Sequence, residues 1–170
     1  MTAVVRQATE ADVTSIAEVC TKAYQVAYAD ILPEGFIDRM IAVYYTEERT
    51  AREIPPSEPA WLGYQVAEED GRIVGVTGGG MKDPTTGEVF VLYLEPGQRG
   101  RGLGTLLLDA VTDRLREAGA KEQWVSVFLG NQKGIAFYRA RGFRPVETVQ
   151  AYGSRTDDHV RSLRMHRVLD

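Results

Sequence analysis

The stretch Gln98-Arg99-Gly100-Arg101-Gly102-Leu103-Gly104-Thr105 constrains this chain more than any other part of it. It follows a β-rich run, Val89-Phe90-Val91-Leu92-Tyr93-Leu94, and opens a long amphipathic segment. In that segment Leu103, Leu107, Ala110, Val111, Leu115 and Ala118 share one helical face, while Asp109, Thr112, Asp113, Arg116 and Glu117 share the other. The order is therefore strand, glycine loop, helix. The first amides of a helix have no internal partner, and its dipole adds partial positive charge there. A phosphate fits such an end. Glycines let the backbone approach a ligand closely and take positive φ. Arg99 and Arg101 add formal charge. Two familiar phosphate loops are excluded. A Walker loop needs Lys before its Ser or Thr, and here Gly104 precedes Thr105. The dinucleotide fingerprint fails because the glycines fall at 100, 102 and 104. A tight connection with no ligand is the alternative, disfavoured by three glycines and two arginines within six residues.

The rest of the chain frames this loop. Val4 to Ala8 reads as a strand. Thr9 and Asp12 have capping-box spacing before a helix from Glu10 to Tyr28. Pro33 suits the first turn of a second helix carrying Phe36, Ile37, Met40 and Ile41, and a third begins at Thr46 and stops at Pro55-Pro56. Tyr64–Glu68 and Arg72–Thr77 flank Glu69-Asp70-Gly71 as a hairpin, and Gly78-Gly79-Gly80 reads as a flexible strand end or a bulge. Gly119 ends the long helix. Trp124–Leu129 is a strand, Asn131 caps a short helix to Arg141, and Arg144–Gln150 and Ser162–Val168 are the last strands. The pattern predicts an α/β (α+β) chain with one mixed, mostly antiparallel sheet flanked by helices, and one domain over 1–170.

Composition narrows the class. Hydrophobic residues make up 44% and charged residues 26% of 170 residues, which excludes disordered and collagen-like chains. Cys20 is the only cysteine, so no internal disulfide forms, and a cytoplasmic location is the default expectation. No apolar run is long enough to span a membrane, and the first residues do not read as a signal peptide. With His159 and His166 the only histidines, a zinc site is not expected. A net charge of −4 argues against nucleic acid as the main partner. The charge is uneven: residues 1–71 hold 13 acidic and 5 basic side chains, residues 72–170 hold 11 and 15. One half could face a cation and the other an anion, or both could be solvated faces.

Arg99-Gly100-Arg101-Gly102-Leu103-Gly104 resembles the [Q/R]-x-x-G-x-[G/A] signature of the GNAT superfamily of acyl-CoA-dependent N-acetyltransferases. Asn131, Ala136-Phe137-Tyr138 and Arg141-Gly142-Phe143 resemble that family's second segment at its normal spacing. The segment Tyr28 to Pro33 is similar to a subgroup that includes bacterial small-amine and polyamine acetyltransferases.

The resemblance implies a sheet splayed in a V between the strand ending at Leu94 and the strand Trp124–Leu129. In that opening the pantetheine arm of acetyl-CoA would pair with Leu92 and Leu94. The pyrophosphate would sit on the loop, through Arg99, Gly100, Arg101, Gly102, Leu103 and Gly104. It also implies Tyr138 as proton donor to the leaving thiolate, Glu88 as base for the amine, and the Leu94 amide as donor to the thioester oxygen. Against these stand plainer roles: Tyr138 as a buried aromatic, Glu88 as a solvated strand-end carboxylate. Asn131 is a candidate cofactor contact that helix capping also explains, and capping is preferred. The direction of Tyr93 is open. Cys20 and His166 read as packing residues, and Arg161–Arg167 as a solvated strand face. The implied reaction is acetyl transfer to a primary amine by direct attack in a ternary complex. The acidic first half favours a small cationic acceptor. Rival readings are acetylation of a protein N-terminus or lysine, and a non-catalytic acyl-CoA-binding module. A homodimer is an open possibility in this family.

Overall fold

The structure is a computed structural model and describes residues 2–155 and 157–170. Strand β1, Val4–Gln7, leads into a capping box in which Thr9 N donates to Asp12 Oδ2 over 2.8 Å. Arg6 holds the same carboxylate at 2.8 Å. The expected start at Glu10 is a single 3-10 turn, Glu10–Asp12, a tightening common at helix ends, and helix α1 runs Val13–Ala27. Helices α2, Glu34–Tyr44, and α3, Glu47–Arg52, follow, the latter capped by Thr46 Oγ1. Then come strands β2 (Tyr64–Glu69), β3 (Arg72–Asp83) and β4 (Thr86–Leu94), helix α4 (Leu103–Glu117), strand β5 (Glu122–Phe128), helix α5 (Gln132–Ala140), and strands β6 (Arg144–Gln150) and β7 (Arg161–Val168).

The seven strands form one mixed sheet in the order β1-β2-β3-β4-β5-β7-β6. Only β4 and β5 pair in parallel, and α4 makes the crossover that parallel neighbours require. Helices α1 and α2 cover one face, where Ile16, Val19 and Cys20 pack on Tyr64, Val66, Val76 and Val91. Helix α4 covers the other, where Leu108, Val111 and Leu115 pack on Val89, Val125 and Met165, with Tyr138 and Phe143 beside them. Cys20 is fully buried, as expected of a packing residue.

The Arg161–Arg167 segment is not the solvated face expected. Arg167 reaches inward, donating to Gln123 Oε1 (2.8 Å), Thr112 Oγ1 (3.1 Å) and the Arg141 carbonyl (2.9 Å). Gln123 and Thr112 are buried, so this guanidinium satisfies polar groups that link β5 to α4.

Two local departures shape the centre of the sheet. On β4, Val91 faces Gly78 and Val89 faces Gly79, so Phe90 is an extra residue, a β-bulge. Before the bulge Gly87 and Val89 face α4; beyond it Leu92 and Leu94 do. Glu88, Val91 and Tyr93 point the other way, toward α1 and α2. Pairing with β5 ends at Val89–Val125, directly before the bulge.

The second departure is the run Gly78-Gly79-Gly80, which lies inside β3 and is buried. The segment preceding β2 lies across it, with Leu62 N bonded to Gly79 O and Met81 N to Pro59 O. A Cβ on Gly78 would stand 2.4 Å from the Trp61 ring, and one on Gly80 would stand 1.8 Å from the Ala60 carbonyl oxygen. The glycines provide room for a crossing backbone. Gly80→Ala is therefore expected to lower unfolding free energy by about 3 kcal/mol, the upper range for overpacking, in denaturant titration. An unchanged midpoint would mean that the crossing segment yields freely.

Candidate active site

Beyond Val89 and Val125 strands β4 and β5 separate, and a cleft of about 1270 Å³ opens between them. Its wall on β4 has a fixed hydrogen-bond parity. Glu95 N donates to Val74 O at 3.0 Å, which makes residues 74 and 95 a hydrogen-bonded pair of the antiparallel ladder. Alternation then assigns Val76–Tyr93 and Gly78–Val91 to the same type. Leu92 and Leu94 fall on the intervening positions. Their amides and carbonyls point away from β3, across the gap left by β5. These are the two residues that the family resemblance put against a cofactor arm.

The glycine loop closes one end of the cleft. Gly100 (φ 82°) and Gly102 (φ 79°) take left-handed conformations, and Gly102 is the N-cap of α4. Among the described residues no side chain caps this helix, whereas Thr46 caps α3 and Asn131 Oδ1 caps α5 by accepting from Gly134 N. The first amides of α4 are thus free donors, facing a cleft lined by Arg99, Lys133 and Arg141. Arg141 is fixed by donating to Thr105 Oγ1 (3.1 Å) and the Phe137 carbonyl (2.8 Å), with its guanidinium 3.8 Å from the Phe137 ring centre.

Two loop residues differ from expectation. The Arg101 side chain is not on the cleft; it pairs with Glu69 at 2.6 Å, across the hairpin side of the loop. Gly104 is required by packing: a Cβ there would stand 2.9 Å from the Phe137 ring. It is the close contact between α4 and α5 that needs a glycine at this position. Leu103 lines the cleft and is anchored in the core beside Leu107.

Tyr138 reaches the cleft from α5. Its ring is wedged edge-on between Phe137 and Phe143, and burial pushes its phenol above the ordinary tyrosine value. The group stays protonated at neutral pH. Glu88 lies on the cleft from β4 and is 7% exposed, so it is not a solvated strand-end carboxylate. Both of its oxygens accept from one guanidinium, that of Arg164 on β7: Nη1 to Oε2 at 2.7 Å and Nη2 to Oε1 at 3.0 Å. Sequence reading missed this partner, because β7 reaches β4 only across β5, through the strand order. It also missed Arg141, whose signal was its place directly before Gly142-Phe143.

The other end of the cleft is aromatic. Tyr24, Tyr28, Tyr45 and Tyr93 pack edge-on or tilted with ring centres 5.0 to 6.1 Å apart, and Phe128 joins them from β5. Tyr93 therefore faces this end, and burial holds its phenol well above the ordinary value. Tyr44 and Tyr152, with rings 5.4 Å apart, flank the mouth. The acidic excess of the first 71 residues does not converge here: of those carboxylates only Asp30 and Glu53 line the cleft. Glu53 is paired to Arg49 at 3.2 Å. A count along the chain did not describe the wall, because most of those carboxylates lie outside the cleft.

Among the described residues no cluster of three metal-ligating side chains occurs, and no helix is long and apolar enough to cross a membrane.

Comparison with known proteins places this geometry. The PaiA N-acetyltransferase of Thermoplasma acidophilum, solved with coenzyme A, superposes with a TM-score of 0.84 at 22% identity, covering 99% of this chain and all of that one. A GNAT superfamily phosphinothricin acetyltransferase of Sinorhizobium meliloti, solved with acetyl-CoA, superposes with a TM-score of 0.73 at 25% identity, covering 99% of this chain and 89% of that one. In sequence, a mycothiol acetyltransferase of Beutenbergia cavernae is 34% identical over 96 residues, 56% of this chain and 32% of that protein. An uncharacterised N-acetyltransferase of Methanocaldococcus jannaschii is 27% identical over 162 residues, 87% of this chain and 63% of its own length. The chain thus spans about a third of the first of these relatives and under two thirds of the second. The family description for acetyltransferases matches residues 13–143, which takes in the splayed strands, the glycine loop and the Tyr138 helix together, and the chain belongs to the acetyltransferase (GNAT) family.

Proposed function

We propose that the protein transfers an acetyl group from acetyl-CoA to the primary amine of a small cationic acceptor. One observation carries this reading: an unpaired strand edge at Leu92 and Leu94 shares one cleft with the uncapped amides of α4. An extended arm bearing amides at one end and phosphates at the other fits that combination, since buried backbone groups need partners and anions favour a helix N-terminus. Leu92 and Leu94 hold the arm. Arg99 and the amides from Gly100 to Gly104 hold the phosphates, with the Arg101 side chain turned away. Asn131 serves as the cap of α5.

Acetyl-CoA supplies an activated thioester; the protein supplies aim and proton transfer. The amine nitrogen bonds to the carbonyl carbon as the carbon–sulfur bond breaks. Glu88 takes the amine proton, and Tyr138 gives its proton to the departing sulfur. The Leu94 amide donates to the carbonyl oxygen, where negative charge develops. No step needs a metal ion.

The acceptor enters over aromatic faces, with Asp30 at the mouth. A cation over such faces gains about 0.5–2 kcal/mol, or roughly 2- to 30-fold in affinity. Thiol release with size-matched amines is expected to show KM lower by that factor for cationic over neutral acceptors. This preference should weaken only a little at high salt, because the cleft carboxylates Glu53, Glu88 and Glu95 already carry cationic partners and Asp30 alone of the four has none among the described residues. A preference for anionic amines would overturn this acceptor reading.

A further inference from the structure

We infer that Arg164 is a positioning residue for acetyl transfer, setting the plane of the Glu88 carboxylate that receives the amine proton; the inference rests on the reading of Glu88 as the base. The pair is built from three strands. Arg164 leaves β7, passes over β5 and meets Glu88 on β4, so the contact joins residues 76 apart in sequence. The guanidinium is itself held twice on the way. Its Nη1 donates to Ser126 Oγ at 2.8 Å, and its Cζ lies 5.0 Å from the centre of the Trp124 ring. Trp124 and Ser126 are successive residues on the same face of β5, in register with Glu88 and Arg164 respectively.

A guanidinium fork on a carboxylate fixes orientation as well as distance, because two parallel hydrogen bonds leave the carboxylate no free rotation. Glu88 without it has a flexible side chain just before the point where β4 and β5 part, next to a wide cleft. With it, the two lone pairs not used by the fork keep constant directions. A base acts only within hydrogen-bond reach of the proton it takes, so aim at this position sets the rate. The fork also gives a carboxylate with 7% exposure the hydrogen-bonding partner that burial requires. A lysine in place of Arg164 offers charge but no fork.

The test is a double-mutant cycle on kcat, with acetyl-CoA KM and coenzyme A-induced thermal shift measured for each variant. Glu88→Gln is expected to lower kcat about 10²-fold. Arg164→Met should lower it about 10- to 100-fold with acetyl-CoA KM unchanged, and should do nothing further in the Glu88→Gln background. Arg164→Lys, which keeps the charge and the fold, should recover only part of the loss. Multiplying effects in the cycle, or wild-type kcat in Arg164→Lys and Arg164→Met while Glu88→Gln is impaired, would overturn the positioning role alone. Wild-type kcat in Glu88→Gln would instead overturn the base reading and this inference with it.

Discussion

Gly102→Glu is expected to abolish the thermal stabilisation that coenzyme A gives the protein. A ligand that binds only the native state adds about 2.7 kcal/mol at a hundredfold excess over Kd. Gly102 caps α4 with φ 79°, and a Cβ there meets nothing within 4 Å. The variant therefore folds, at a cost of about 1–2 kcal/mol for a non-glycine residue in that conformation. Its new carboxylate stands at the free amides of α4 and occupies them in place of a phosphate. Arg99→Ala should weaken the shift, since Arg99 lines the cleft. Arg101→Ala should leave it near the wild-type value, since that guanidinium is turned to Glu69. Thermal melts with and without millimolar coenzyme A check all three. A full shift in Gly102→Glu would place the phosphates elsewhere, and a lost shift in Arg101→Ala would put that side chain back on the ligand.

Tyr138→Phe is expected to fold as the wild type and to bind coenzyme A unchanged, while kcat falls by roughly 10²-fold. The ring makes the packing contacts with Phe137 and Phe143, and phenylalanine preserves them. What is lost is one hydroxyl, held protonated by burial. Steady-state kinetics with the best amine read the result. Because the raised phenol stays protonated through neutral pH, the wild-type rate should show no loss of this acid between pH 7 and its ordinary titration range. Equal kcat in the two proteins would reduce Tyr138 to a packing residue.

What could be read from the sequence was what neighbouring residues do together. The loop at 99–104 and the stretch from Asn131 to Phe143 are local: each cap, each left-handed glycine and each helix start is set within a few residues. Contacts made through the sheet order were not legible. Arg164 on Glu88, Arg167 on Gln123 and Arg101 on Glu69 all join residues more than 30 positions apart, and nothing near any of them marks the partner. The glycine run at 78–80 signalled an unusual backbone, but flexibility and close crossing leave the same trace in sequence. The crossing became visible only with Ala60 and Trp61 in place. The charge imbalance failed for a different reason, because a sum over residues carries no direction.

The bulge at Phe90 acts on β4 as a frameshift acts on a message. Odd-numbered residues before it and even-numbered residues after it face the same helix, so the strand carries two reading frames in nine residues. Side chains at 91 and 93 can then vary with the acceptor, while those at 92 and 94 answer only to the α4 side. On the proposed reading, the acceptor side and the donor side of the cleft are then lined from two faces of a single strand. A deletion of Phe90 would merge the frames without moving either set: 87, 89, 92 and 94 would still face α4 and 88, 91 and 93 the other way, so the change would fall on the bend where pairing with β5 ends and not on the lining side chains.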